Sequence, residues 1–314
     1  MLRTLVAIVA AAGLACAAAP ASTPTRSIPL RVSISGVAVG GLSSEPARAR
    51  VEAAFQRSIR VTFQHRNIWI RPDQLGAGLS IDAAVTSALA ATPGSRIALP
   101  VRYSHKQVAG VVGRLARRFD RAAVDSTVIG ATASGPEFSP AKAGLAVDRR
   151  TMASALTQVL RAGTRAPLTL LTHPVAPKLT PDTFGLVIVI TRGTNTLRLY
   201  DGRALVRTFR VATGQAIYPT PAGVWRIVDK QRNPWWYPPT QDAWARGLKP
   251  VPPGPSNPLG TRWMGLNAAG VGIHGTTAPA SIGYSASHGC IRMQIPEAEW
   301  LFERVQIGTP VVIL

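Results

Sequence analysis

Between Ile273 and Met293 the chain reads IHGTTAPASIGYSASHGCIRM, which brings two histidines, His274 and His288, close in sequence to Cys290. A thiol attacks as its thiolate, and at neutral pH most of a free thiol is protonated. An imidazole within reach can take that proton, hold the thiolate as an ion pair and later return a proton to a leaving amine. Attack on an amide carbonyl also needs donors for the developing oxyanion. Glycine beside the nucleophile lets backbone N–H groups approach closely. Ser287-His288-Gly289-Cys290 offers the Gly289 and Cys290 amides at that point. The segment therefore points to acyl transfer by a cysteine. Spacing leaves the base open. In an extended strand His288 and Cys290 would share a face as alternate residues, while His274, behind the strand-like Val271-Gly272-Ile273, can return on an adjacent strand.

Such a constellation needs a scaffold, and 314 residues suffice for two domains with cores of their own. A hydrophobic fraction of 46% excludes a disordered chain. Near the start, Arg3 precedes an apolar run from Leu5 to Ala19, with small residues after it. We read a secretory signal peptide over 1–21 and a linker over 22–30, hence an exported protein of the periplasm or cell wall. Cys16, at the end of that run, is the position at which a lipoprotein would carry its lipid. If Cys16 leaves with the signal, Cys290 is the sole thiol, and an unpaired thiol outside the cell reads as reactive. The formal charge is +20, from 35 Lys and Arg against 15 Asp and Glu. Such a field attracts polyanions, and for an exported chain these are anionic cell-wall polymers. No zinc-finger or basic-zipper pattern points to nucleic acid. Membrane association is expected only through the signal or a lipid anchor at Cys16. There is no CxxC or HExxH pattern and no phosphate loop, so neither metal nor cofactor is expected.

Periodicity divides the chain further. Arg31 to Val39 alternates as a strand does, and Gly40-Gly41 breaks it. Ser43 or Ser44 is placed to cap a helix with Ala47, Val51 and Phe55 on one face. Val61 to Phe63 and Ile68 to Ile70 flank a turn and read as a hairpin. A repeat follows: Gly78-Leu79-Ser80-Ile81-Asp82 and Gly144-Leu145-Ala146-Val147-Asp148 each lead a short strand into a helix with an Asp placed to cap it. Between them, Ser104 precedes a helix carrying Val108, Val111, Val112, Leu115 and Phe119. The region 31–172 thus reads as an α+β domain. His65, His105 and His173 are isolated and read as ordinary histidines. His173 to Asp182 holds three prolines, which marks a linker, set at 173–184. From Gly185 strands dominate: Leu186 to Ile190, a hairpin turning at Asp201-Gly202, then Val224 to Val228, with one helix at Pro296 to Val305. The region 185–314 reads as a predominantly β sandwich or barrel. Within it, Trp235-Trp236-Tyr237-Pro238-Pro239 forms an aromatic–proline loop suited to flanking a substrate groove, with Trp236 as the candidate contact. Five prolines between Pro250 and Pro258 stiffen the loop that follows.

His274-Gly275-Thr276 followed by Ser287-His288-Gly289-Cys290-Ile291-Arg292, together with Thr220-Pro221-Ala222-Gly223 and Asn257 to Leu266, resembles the YkuD-type L,D-transpeptidases over about 186–314. The upstream "VSISGVAVGGLS" and "AGLAVD" resemble the peptidoglycan-binding domain that often precedes them. The resemblance implies that Cys290 attacks the carbonyl of the L-to-D bond of a peptidoglycan stem tetrapeptide and that the terminal D-Ala leaves. An amine of a neighbouring stem then resolves the acyl-enzyme as a cross-link. It implies His274 as base, the Gly275 carbonyl as the group orienting its ring, and His288, Gly289 and Cys290 framing the oxyanion. Ser287 and Arg292 would lie against substrate, Arg292 pairing with a stem carboxylate. Resolution by water would instead make the chain an L,D-carboxypeptidase, and loss of catalysis a wall-binding scaffold.

Overall fold

The computed structural model of the chain describes residues 26–163 and 165–314. The expected signal peptide and Cys16 lie outside the described residues. Among the described residues no helix is long and apolar enough to cross a membrane. The chain forms two compact units, one running through Arg118 with Val147–Leu171 added, the other comprising Phe119–Ala146 and Thr172–Leu314.

The first unit is mixed α/β, built on helices α1 (Ser44–Gln56), α2 (Ile81–Leu89), α3 (His105–Phe119) and α4 (Arg149–Ala162). The residues expected at helical spacing are buried, among them Val51 and Phe55 of α1 and Val108, Val112 and Leu115 of α3. The expected hairpin forms as Ile59–Phe63 against Arg66–Ile70, and Leu168–Thr169 joins it in parallel. Three expectations change. Arg31 to Val39 is not one strand. It folds as Ser33–Ile34 against Val37–Ala38, because Ser35 (φ 44°) and Gly36 (φ 83°) make the two left-handed residues of a tight hairpin turn. The two halves of the repeat start their helices differently. Asp148 Oδ1 accepts from the Thr151 backbone at 3.0 Å and caps α4, whereas α2 begins a residue before Asp82, which faces out and pairs with Arg48 at 2.7 Å.

The third change is the domain boundary. The sequence places 31–172 in one domain, but Phe119–Ala146 packs with the C-terminal unit. Its hairpin, Val128–Thr132 with Gly135–Phe138, sets Gly135 against the Tyr200 ring, Phe138 against Phe184 (5.1 Å between centroids), and the Ala133 carbonyl under Arg198 at 3.1 Å. The expected linker is built in as well: Thr172–Val175 is a strand, and the Lys178 and Leu179 amides donate to Asp125.

The second unit carries an eight-stranded sheet of β1 (Leu186–Thr191), β2 (Thr196–Asp201), β3 (Ala204–Arg210), β4 (Gly223–Arg232), β5 (Arg262–Leu266), β6 (Gly272–Gly275), β7 (Ile291–Met293) and β8 (Pro310–Ile313), in the order β3-β2-β1-β8-β4-β5-β6-β7. The unbroken β-branched run of β1 is central and buried on both faces. Phe209 from one end of the sheet and Ile291 and Met293 from the other enter the same core, so the sheet curls into a nearly closed barrel. Ala212, just beyond β3, exchanges two 2.9 Å backbone hydrogen bonds with Arg292 of β7 and joins the ends. Helix α5 (Ile295–Phe302) follows β7 directly. Pro296 is tolerated in its first turn, and Ala298, Leu301 and Phe302 complete the core.

The unequal helix starts predict unequal mutants. Asp148→Ala should destabilise the chain by about 1 kcal/mol through loss of a cap. Asp82→Ala removes only an exposed ion pair and should stay within about 0.5 kcal/mol in urea unfolding.

Candidate active site

Two short parallel strands hold the thiol and one imidazole in register. Ile273 of β6 pairs with Ile291 of β7, and His274 with Arg292. Ile273, Ile291 and Met293 point into the core. Alternation therefore turns His274, Arg292 and Cys290 to the other face, with Cys290 diagonally across from His274. That face lines a cleft of about 960 Å³ that also takes in Ser287, His288, Gly289 and Trp236.

The His274 ring is buried, and its Nδ1–H donates to the Gly275 carbonyl. A carbonyl only accepts, so the ring carries its proton on Nδ1 and leaves Nε2 as the free base. A Cβ at Gly275 would crowd Ile295 of α5. Burial lowers the His274 pKa to about 4; the hydrogen bond to Gly275 opposes the shift and the Arg292 charge adds to it. Burial also pushes the Cys290 thiol up, with a Gly272 backbone hydrogen bond and Arg292 pulling it back. Its Sγ–H donates to the Gly270 carbonyl at 3.4 Å. Both shifts favour a neutral thiol beside a neutral imidazole, not the resting ion pair that the residue types alone propose.

His288 is elsewhere than extended geometry would put it. Gly289 has φ 110°, a conformation that glycine alone adopts readily, and the chain turns there between Ser285–Ser287 and β7. The His288 ring stacks on Trp244, 3.9 Å between centroids, and lies 5.0 Å from Tyr218. Its pKa is lowered, first by burial and then by Arg292, while Asp242 opposes. Side chains underneath pin the turn. Buried Ser287 donates from Oγ to the Cys290 carbonyl and accepts the Gly289 N–H at 3.2 Å. Buried Thr220 donates to the Gly289 carbonyl and accepts from Gly214 N–H, both at 2.8 Å.

The family model described as the L,D-transpeptidase catalytic domain matches residues 185–313. YkuD of Bacillus subtilis, which carries an L,D-transpeptidase name, is 33% identical over 173 residues, 54% of this chain and 90% of its own length. YkuD of Bacillus licheniformis is 35% identical over 42% of this chain and 68% of that one. The chain belongs to the YkuD-type L,D-transpeptidase family. Among solved structures, an L,D-transpeptidase mutant of Enterococcus faecium aligns over 85% of this chain and 98% of its own at 18% identity and a TM-score of 0.38. One from Mycobacterium smegmatis aligns over 69% and 90% at 17% identity and a TM-score of 0.37. Family membership rests on the sequence relatives.

In this L,D-transpeptidase domain the site residues proposed from sequence converge, apart from Gly275, which backs His274 instead of lining the cleft. Trp236 lines the wall opened by the aromatic–proline loop, its backbone paired with Val251 at 2.9 Å in both directions. Besides Thr220, four residues escaped the sequence reading. Trp263 is paired with His274 across β5 and β6, and its indole lies over Gly265 and Gly272, where a Cβ would overlap it. Trp244 and Tyr218 hold His288. Asn257, buried in the proline-rich loop, donates to the Pro234, Val251 and Pro252 carbonyls and accepts from Leu259 N–H, tying that loop to the cleft rim. The available signal was motif proximity: Asn257, Trp263 and Thr220 lie in the two segments that carried the family resemblance outside the His and Cys stretch.

Thr220→Val keeps the shape and leaves the Gly214 N–H and Gly289 carbonyl unpaired in a buried place. It should cost about 2 kcal/mol in denaturant unfolding. It should also alter the rate at which a thiol reagent modifies Cys290, because the turn before the sulfur loses its anchor.

Proposed function

We propose that this protein is a peptidoglycan L,D-transpeptidase with Cys290 as nucleophile and His274 as general base. The observation that carries the reading is that Cys290, immediately before β7, and His274 of the paired β6 line one cleft, with His274 Nε2 left free by the Nδ1 bond to Gly275. With both groups neutral at rest, proton transfer accompanies attack. Nε2 takes the Sγ proton as sulfur bonds to the carbonyl carbon of the L-to-D peptide bond. Because Gly289 N–H is engaged by Ser287, the oxyanion falls chiefly to the Cys290 and His288 amides. The C–N bond then breaks, His274 returns the proton to the departing D-Ala nitrogen, and a thioester remains. Among the described residues Arg292 has no carboxylate partner, which leaves it available for a stem carboxylate. Trp236 completes the substrate wall, whereas Ser287, expected there as a substrate contact, is buried with its hydroxyl engaged by the Cys290 carbonyl and the Gly289 N–H and acts as a pin of the turn. His288 contributes its backbone and its stacked ring to the shape of the turn, so the base is assigned to His274.

Export, and wall attachment through the N-terminal unit, belong to the same reading, supported by the charge of +20 and the family's substrate class.

Cys290→Ala should abolish covalent acylation by a carbapenem in intact-mass measurement. Acylation of that variant at the wild-type rate would overturn the assignment. The base needs Nε2 unprotonated, so activity should fall only as pH drops through about 4, not through the ordinary histidine value near 6.5. An acid limb of kcat/KM near 6.5 would remove His274 from the role. With a muropeptide donor and acceptor, trimmed monomers without dimers would make the enzyme an L,D-carboxypeptidase.

A further inference from the structure

The second half of the proposed reaction brings an amine to the thioester, and at neutral pH a free alkyl amine arrives as an ammonium ion. A protein of net charge +20 repels it. A cleft that admits such a substrate needs a local anion. The lining of this cleft contains one carboxylate, Asp242, and one Lys or Arg, Arg292. The two come from different elements: Arg292 from β7, two residues after the thiol, and Asp242 from the loop that follows the aromatic–proline segment.

Asp242 is held near the chemistry. Its carbonyl accepts from Ala245 N–H at 3.1 Å and its own N–H donates to Pro239 at 2.8 Å, which fixes the short turn Ala243–Ala245. That turn carries Trp244, stacked 3.9 Å from His288, two residues before the nucleophile. Asp242 is half-buried, and among the described residues no Lys or Arg side chain pairs with it. It is close enough to His288 to oppose the lowering of that ring's pKa. A carboxylate with no Lys or Arg partner among the described residues thus lines the same cleft as the SHGC turn of a strongly cationic protein.

We propose that Asp242 is the acceptor-binding residue, its carboxylate receiving the ammonium of the incoming stem before that nitrogen attacks the Cys290 thioester. The inference rests on the transpeptidase reading above. The ammonium sheds one proton to water as it leaves Asp242. The nitrogen lone pair then forms the new C–N bond, and the C–S bond breaks with its electron pair returning to Cys290. A second proton passes from nitrogen through His274 to the sulfur. One amide and one thiol result, with one proton released. Water, being uncharged, gains nothing from Asp242, so this residue biases the acyl-enzyme toward cross-linking over hydrolysis.

The test compares wild type, Asp242→Asn and Asp242→Glu with a muropeptide tetrapeptide donor and an amine-bearing stem acceptor, reading the ratio of cross-linked dimer to hydrolysed donor. Asp242→Asn should lower that ratio about tenfold, the size expected for one partly desolvated charge, and raise the acceptor KM to match. Asp242→Glu should recover most of the loss. Hydroxylamine, a nucleophile largely uncharged at neutral pH, should resolve the acyl-enzyme equally well in wild type and Asp242→Asn. An unchanged dimer ratio in Asp242→Asn, or an equal loss with hydroxylamine, would overturn the proposal. Acylation of wild type by a carbapenem is measured in parallel, and its absence would overturn the transpeptidase reading itself.

Discussion

The site depends on one piece of sheet geometry, the parallel pairing of β6 with β7 at the edge of the barrel. That register fixes which residues of each strand look inward. Ile273, Ile291 and Met293 are consumed by the core, and because side chains alternate, His274, Arg292 and Cys290 are left to the cleft. A slip of one residue would bury the imidazole and the guanidinium in hydrocarbon and turn isoleucines to solvent, so core burial itself holds the register. The closing hydrogen bonds between Ala212 and Arg292 secure the free edge of β7. Without that closure β7 would be an open edge only three residues long.

Around this pairing the protein uses buried polar side chains as pins for irregular backbone. Thr220, Ser287 and Asn257 are fully or almost fully buried; Thr220 and Asn257 join segments distant in sequence through backbone groups, and Ser287 ties the turn before the sulfur to itself. A loop next to a cleft has amides and carbonyls that no ladder satisfies, and each left unpaired would cost a kcal/mol or more, on the order of its desolvation. Pairing them with side chains satisfies the backbone and also fixes the turn in front of the sulfur. Glycine does the complementary work. Gly289 adopts a backbone angle that other residues resist, and Gly265 and Gly272 leave room for the Trp263 indole beside His274.

Burial also sets the resting electrostatics. Removing His274 and Cys290 from water penalises imidazolium and thiolate alike, and the nearby Arg292 offsets this only for the thiolate. Burial therefore favours a neutral pair at rest. A standing thiolate is the species most exposed to oxidation, so a neutral resting thiol lowers that exposure.

Much of this was legible in the amino-acid sequence because it is local. Periodicity predicted α1, α3, α5 and the strands around Asp201-Gly202, since one buried face imposes a repeat on any element that has it. The Cys290, His288 and His274 cluster named the chemistry through residue types and nearness along the chain. What sequence could not decide was which imidazole comes from the strand paired beside the sulfur, because that depends on two strands aligning across a sheet, and spacing along one chain carries no such information. The same holds for Phe119–Ala146, whose hairpin reads as part of the first unit until Tyr200 and Phe184 are seen to receive it. It holds for His288, which alternation would set beside Cys290 but which Gly289 turns into a stack with Trp244. The sequence by itself determined most of the elements and the grouping of Cys290 with two histidines. Tertiary structure decided their partners, because register, closure and stacking are contacts between residues that the chain keeps apart.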